Sequence, residues 1–254
     1  MNKTELKEFL DFKVNQYNNP NFIEEDPIQV PHLFNKKEDI EIAGYLSATI
    51  AWGNRKSIIK NAKNMILLMD SSPHDFVINH SESDLEKLLP FVHRTFNSDD
   101  FIFIIKALKR AYTTFDSLED LFLIKQNEKN PMFAIDRFRD FMLAKNTDYR
   151  TKKHISSPAK NSAAKRINMF LRWMARKDNN GVDFGIWENI PQSKLSIPLD
   201  VHSGNTARAL KLLDRKQNDK KAVESLDFNL RKLDSKDPVK YDFALFGIGV
   251  SKDL

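Results

Sequence analysis

Apolar side chains recur at helical spacing through most of this chain, and no other feature limits its fold as strongly. Over residues 55–69, Ile58, Ile59, Ala62, Met65, Ile66 and Met69 fall on one face, with Lys56, Lys60 and Lys63 opposite. Residues 99–115 repeat the pattern, with Phe101, Ile104, Ile105, Leu108, Ala111, Tyr112 and Phe115 on one stripe. Residues 38–51 bring Ile42, Ala43, Leu46 and Ile50 together and carry their acids in the first turn, where the helix dipole favours them. The spacing predicts further helices over 6–17, 82–89, 118–124, 132–143 and 222–233. Another runs to about 176, with Ala163, Ile167, Phe170, Leu171 and Met174 apolar and Lys165, Asn168, Arg172 and Arg176 polar. A last helix opens at Asp237-Pro238, with proline in the first turn. With only 7 glycines in 254 residues, little in the composition interrupts helices, and an all-α fold is expected.

Segments lacking this period divide the chain. Residues 18–31, with Pro20, Pro27 and Pro31, read as loop. Residues 146–157 read as a loop and lobe junction, giving lobes of 1–37 plus 146–254 and of 38–145. Gly247-Ile248-Gly249 reads as a loop after the last helix.

The chain has no cysteine, which excludes disulfides and thiolate metal sites. His32, His74, His80, His93, His154 and His202 lack metal-ligand spacing, so no metal or other cofactor is expected. There is no run of apolar residues long enough to span a bilayer and no signal-like start, so a cytoplasmic protein is expected. Net charge is +5 at pH 7. Its distribution is more telling: Arg150, Lys152, Lys153, Lys160, Lys165, Arg166, Arg172, Arg176 and Lys177 lie between Tyr149 and Lys177 with no acid among them. Such a run is either a solvated face or a polyanion-binding surface.

One acid stands at a junction. The apolar run Ile197-Pro198-Leu199 ends in Asp200, and a helix with Ala207, Leu210 and Leu213 on one face follows. Asp200 is placed to cap that helix, its carboxylate accepting backbone N–H bonds. A carboxylate so held can also face a substrate, and one residue can do both.

Pro198-Leu199-Asp200-Val201-His202 resembles the segment that carries the catalytic aspartate of helix-hairpin-helix DNA glycosylases, above all their 8-oxoguanine branch. Two further stretches are similar to that family. Residues 158–167 match its hairpin pattern Gly-x-Gly-x-Lys, with Asn161 and Ala163 at the glycine positions and Lys165 at the lysine. Asn161 tolerates the left-handed backbone that a glycine there supplies. Tyr45-Leu46-Ser47-Ala48-Thr49 followed by Asn54-Arg55-Lys56-Ser57 resembles the helix end and turn from which the family wedges a residue into the base stack, with Ala48 where a Gln is usual. Trp52, in that turn, is a buried aromatic or a stacking residue. Lys165 and Asp200 are 35 positions apart, more than is usual in the family. The excess falls in 179–196, either a specificity loop or a surface excursion.

The resemblance implies a two-lobed, all-α, helix-hairpin-helix glycosylase-like fold and a partner that is double-stranded, damaged DNA. It implies a base-excision glycosylase with abasic-site lyase activity, the alternative being a non-catalytic nucleic-acid-binding module. Lys165 would attack the sugar C1′, aided by the neighbouring cations Arg166 and Arg172, and Asp200 would stabilise the sugar cation. Lys160, Asn161, Arg166, Arg172 and Arg176 would contact DNA. The four-cysteine iron–sulfur cluster of some members cannot form here. The strings from Lys165 to Trp173 and from Lys240 to Gly247 also resemble an uncharacterised bacterial family of unknown function, over nearly the whole chain.

Overall fold

The computed structural model describes residues 1–144 and 150–251. Tyr149 and the start of the 146–157 loop lie outside the described residues. The order is α1 (Lys3–Tyr17), α2 (Asn21–Glu24), α3 (Lys37–Thr49), α4 (Arg55–Leu68), α5 (Pro73–Asn79), α6 (Glu82–Glu86), a hairpin of β1 (Val92–His93) and β2 (Phe96–Asn97), then α7 (Ser98–Tyr112) and α8 (Met132–Leu143). Next come α9 (Lys165–Ala175), α10 (Val201–Ala209), α11 (Lys220–Leu233) and α12 (Tyr241–Ser251). The protein is mostly helical, as its periodicity requires. The two strands, antiparallel through Val92 with Asn97 and His93 with Phe96, were not foreseen. No helix among the described residues is long and apolar enough to cross a membrane.

The chain forms two compact units, one of Met1–Phe22, Ile124–Phe133 and Ser157–Leu254, the other of Ile23–Leu123 and Ala134–Ser156. The first break falls at 22/23 and not at 37/38. Pro27–Gln29 and Pro31–Leu33 form 3-10 turns that pack on α3 and α4, with Ile28 and Val30 fully buried. In this second unit, α3, α4 and α7 bury the stripes read from the sequence, Ile58, Ala62, Met65 and Ile66 of α4 among them. Leu46-Ser47-Ala48-Thr49 is core inside α3.

The first unit packs α12 against α1 and α10. Gly247-Ile248-Gly249 is helical, not a loop, because both glycines allow close helix contact. A Cβ on Gly247 would stand 2.3 Å from the Tyr17 ring, and one on Gly249 would stand 2.9 Å from the His202 carbonyl oxygen. The 179–196 stretch is no surface excursion. Val182, Trp187 and Ile190 are buried, and Phe184 and Trp187 donate their N–H groups to the carbonyls of Trp173 and Met174. It closes one side of α9, which becomes a central helix buried from Ile167 to Ala175.

Candidate functional site

Lys165 and Asp200 come together at the starts of two helices of the first unit. The Lys165 ammonium lies 4.0 Å from Asp200 Oδ2, with the two side chains 31% and 20% exposed. Lys165 is the first residue of α9, and the turn before it sets its place. After the 3-10 turn Pro158–Lys160, Asn161 is left-handed at φ 64°, and Ala164 is left-handed at φ 49°. The sequence pointed to Asn161. The second left-handed position is Ala164 and not Ala163, and an alanine there stores strain. Asn161 Nδ2 donates to Asp219 Oδ2 at 3.0 Å, and its carbonyl accepts from the Lys220 N–H at 3.2 Å. Buried Asn168 donates from Nδ2 to the Ala163 carbonyl at 3.0 Å. The turn is therefore braced by α11 and by α9 itself. Asp219 also caps α11, and the Arg215 guanidinium holds its carboxyl well below the usual range.

Asp200 does cap α10. Its Oδ1 accepts from Ser203 N at 2.9 Å, and Ser203 Oγ accepts from Asp200 N at 3.0 Å. The cap fixes the carboxylate while leaving Oδ2 turned to Lys165. The segment leading to it is pinned from α11 by two residues the sequence reading missed. Asp227 Oδ1 accepts from Ile197 N at 3.0 Å, and Arg231 donates to the carbonyls of Ser193 and Leu195 at 3.1 and 2.7 Å. Burial pushes the Asp227 carboxyl up to about 6, against the opposing pull of Arg231 and Ser196. Asn218 donates to the Asp200 carbonyl at 2.8 Å.

Two expected DNA contacts are corrected here. Arg172 and Arg176 do not line a surface: they are 3% and 2% exposed. Arg172 donates from Nε to Asp183 Oδ1 at 3.2 Å and pairs with Asp242. Arg176 meets Asp183 at 2.9 Å, Asp178 at 2.8 Å and Asp237 at 2.9 Å. Both guanidinia also lie over the Phe243 ring, at 4.3 and 5.4 Å. A guanidinium inside a core must be paired, and the acids of 178–183 and 237–242 supply the partners. Nor does Arg172 stand as a bare cation beside Lys165, since Asp183 and Asp242 neutralise it. Asp242 feels the site above it. Burial raises its carboxyl to about 6, Arg172 opposes the rise, the Asp200 charge adds to it and the Lys165 charge opposes it.

Of the other expected contacts, Lys160 and Asn161 are exposed and Arg166 is half-buried, all at the hairpin. Trp52 belongs to the second unit. It is half-buried, stacked on His154 at 5.5 Å and edge-on to His93 at 5.1 Å. No group of His, Asp and Glu among the described residues is arranged to hold a metal ion.

Residues 26–251 match the family described as Protein of unknown function (DUF2400), and the chain belongs to that family. No curated protein and no solved structure matches it significantly.

Proposed function

We propose that the protein acts on DNA through a helix-hairpin-helix glycosylase-like arrangement of α9 and α10, as a base-excision glycosylase with abasic-site lyase activity. The observation that carries this reading is the approach of Lys165 to Asp200, 4.0 Å apart and both accessible, from helix starts of independent sequence. The turn before α9 carries Lys160 and Asn161, and Arg166 follows Lys165 in α9; these would hold a phosphate.

Lys165 loses a proton to solvent, so Asp200 stays ionised, and the amine lone pair attacks C1′ of the damaged nucleoside. The C1′–N bond breaks, and the base leaves with the bonding pair and takes up a proton. Asp200 stabilises positive charge on the sugar as the bond stretches. Opening of the sugar ring then gives a Schiff base between Lys165 and C1′. The test is borohydride trapping over a panel of oxidised, alkylated and deaminated bases and abasic sites. Lys165→Gln should abolish the covalent adduct with DNA binding nearly intact, and Asp200→Asn should slow its formation while α10 stays capped, since Asn caps as well as Asp. An adduct that persists in Lys165→Gln removes Lys165 as nucleophile.

A second reading has its own support. Asp200 Oδ1 is held by the cap, and alanine stands at both Ala163 and Ala164 where close backbone approach to a phosphate favours glycine. A non-catalytic DNA-binding module would keep the Lys165–Asp200 pair as a structural contact. DNA binding without base release or trapping on any substrate of the panel favours this module.

A further inference from the structure

On the same unit, next to the hairpin, an aromatic ring faces outward from a fixed backbone. Phe133 is 59% exposed, although Pro131 and Met132 before it are buried. The Met132 N–H is held by Asn130 Oδ1 at 3.1 Å, so the ring stands on an anchored helix start. Lys220 joins this ring to the hairpin. Its backbone N–H donates to the Asn161 carbonyl, and its ammonium lies 5.3 Å from the Phe133 ring centroid. Lys160, Asn161, Lys220 and Phe133 thus follow one another from the hairpin to the ring, with the Asp219 carboxylate on Asn161 and Glu224 4.0 Å from the Lys220 ammonium. Lys125 and Lys129, both exposed, precede Phe133 in the same unit.

A ring beside cations suits a nucleic-acid strand whose backbone is held by charge and whose base is free to stack. A fully paired duplex offers no such base, whereas an overhang, gap or extruded nucleotide does. We propose that Phe133 is a stacking platform for an unpaired nucleobase of the strand whose phosphate lies at the hairpin, with Lys220 contacting the adjoining phosphate. This rests on the DNA-binding reading above and adds to it a preference for strands with an unpaired nucleotide.

The probes are a fully paired duplex, the same duplex with a short single-stranded overhang, and that overhang carrying one 2-aminopurine, each titrated with the full chain. The wild type should bind the overhang substrate more tightly and quench the 2-aminopurine. Phe133→Leu keeps an apolar side chain and removes the ring. It should lower affinity for the overhang substrate about tenfold and abolish the quenching, with the paired duplex and the salt dependence unchanged. Lys220→Ala should reduce the salt slope by about one on the overhang substrate. Thermal melts of both variants should match the wild type, because neither side chain is core. Salt-dependent binding that ignores Phe133→Leu overturns the stacking site and leaves the DNA reading standing. No binding to any of the three probes overturns both.

Discussion

Asp183→Asn tests whether the core of the first unit is organised by charge. Asp183 accepts from Arg172 Nε at 3.2 Å and from Arg176 Nη1 at 2.9 Å, and its own side chain has no exposure. The substitution keeps shape and removes the one negative charge shared by both arginines. Asp242 remains for Arg172, and Asp178 and Asp237 for Arg176, so neither guanidinium is orphaned. Two of the remaining acids are themselves weakened as counter-charges. Burial holds Asp242 up at about 6 and raises Asp237 as well, in both cases against the opposing charge of its arginine. Breaking one partner of a buried pair costs about 3–5 kcal/mol, and with partners left over the expectation is the lower end, about 3 kcal/mol. At a urea slope of about 2 kcal/mol per molar, the midpoint should fall by about 1.5 M. Tryptophan fluorescence follows this unit well, since buried Trp173 and Trp187 flank the network. Lys87→Ala, which removes an exposed partner of Asp70 and Asp84, is the control and should leave the midpoint nearly unchanged. If Asp183→Asn costs no more than that control, the network does not organise this core and the reassignment of Arg172 and Arg176 is wrong.

Three other outcomes follow from the geometry. Asp227 and Asp242 have an ordinary value of 3.8 unfolded and about 6 folded, so the folded chain holds more protons between those values and stability falls as pH rises through that window. Asp227→Asn, with no proton to lose, should flatten that fall by roughly 3 kcal/mol between pH 4 and 7, and an unchanged slope in denaturant titrations would refute the raised value. Gly247→Ala and Gly249→Ala should each cost about 1–3 kcal/mol by forcing α12 off Tyr17 and off His202, read as a lowered melting temperature. Ala164→Gly should instead stabilise by up to about 1 kcal/mol by relieving the left-handed alanine, and a loss of stability would show that the turn is not strained.

The helices of the second unit were legible because their apolar stripes are one-sided, which period alone detects. Asp200 was legible as a cap because an apolar run ending in Asp before a helix has few other structural uses. Arg172 and Arg176 were misread for an identifiable reason. Setting aside a polar stripe of Lys165, Asn168, Arg172 and Arg176 made α9 look half-exposed, but Met169 and Trp173 carry apolar surface round to its other side. A helix apolar nearly all round is a central one, and its charges need internal partners. Those partners were in view as two acid pairs at equal spacing, Asp178 with Asp183 and Asp237 with Asp242, but nothing local says which arginine each meets. The β-hairpin at Val92–Asn97 is too short for alternation to register. Asp227 and Arg231 act on a backbone segment 30 and 38 positions away, and such pairings exist only once α11 is folded against it.

The corrected placement changes what DNA binding should look like. Read as one surface, the nine cations between 149 and 177 would give a salt slope of about −8, at 0.9 per phosphate contacted. Arg172 and Arg176 are buried in ion pairs. Arg150 donates to the Thr95 carbonyl and faces Asp100 at 3.4 Å, and with Lys152 and Lys153 it belongs to the second unit. Lys160, Lys165, Arg166 and Lys177 remain at the surface of the first unit, and Lys165 is partly matched by Asp200. If that unit grips the backbone through these residues, the slope for a paired duplex should lie between about −3 and −4. Anisotropy titrations of a labelled duplex from 50 to 200 mM salt on the full chain measure it directly, roughly a hundredfold loss of affinity over that range. Lys160→Ala and Lys177→Ala should each make the slope shallower by about one. A wild-type slope steeper than about −6 would mean that cations outside this set carry the phosphates, and the hairpin would then not be the principal grip.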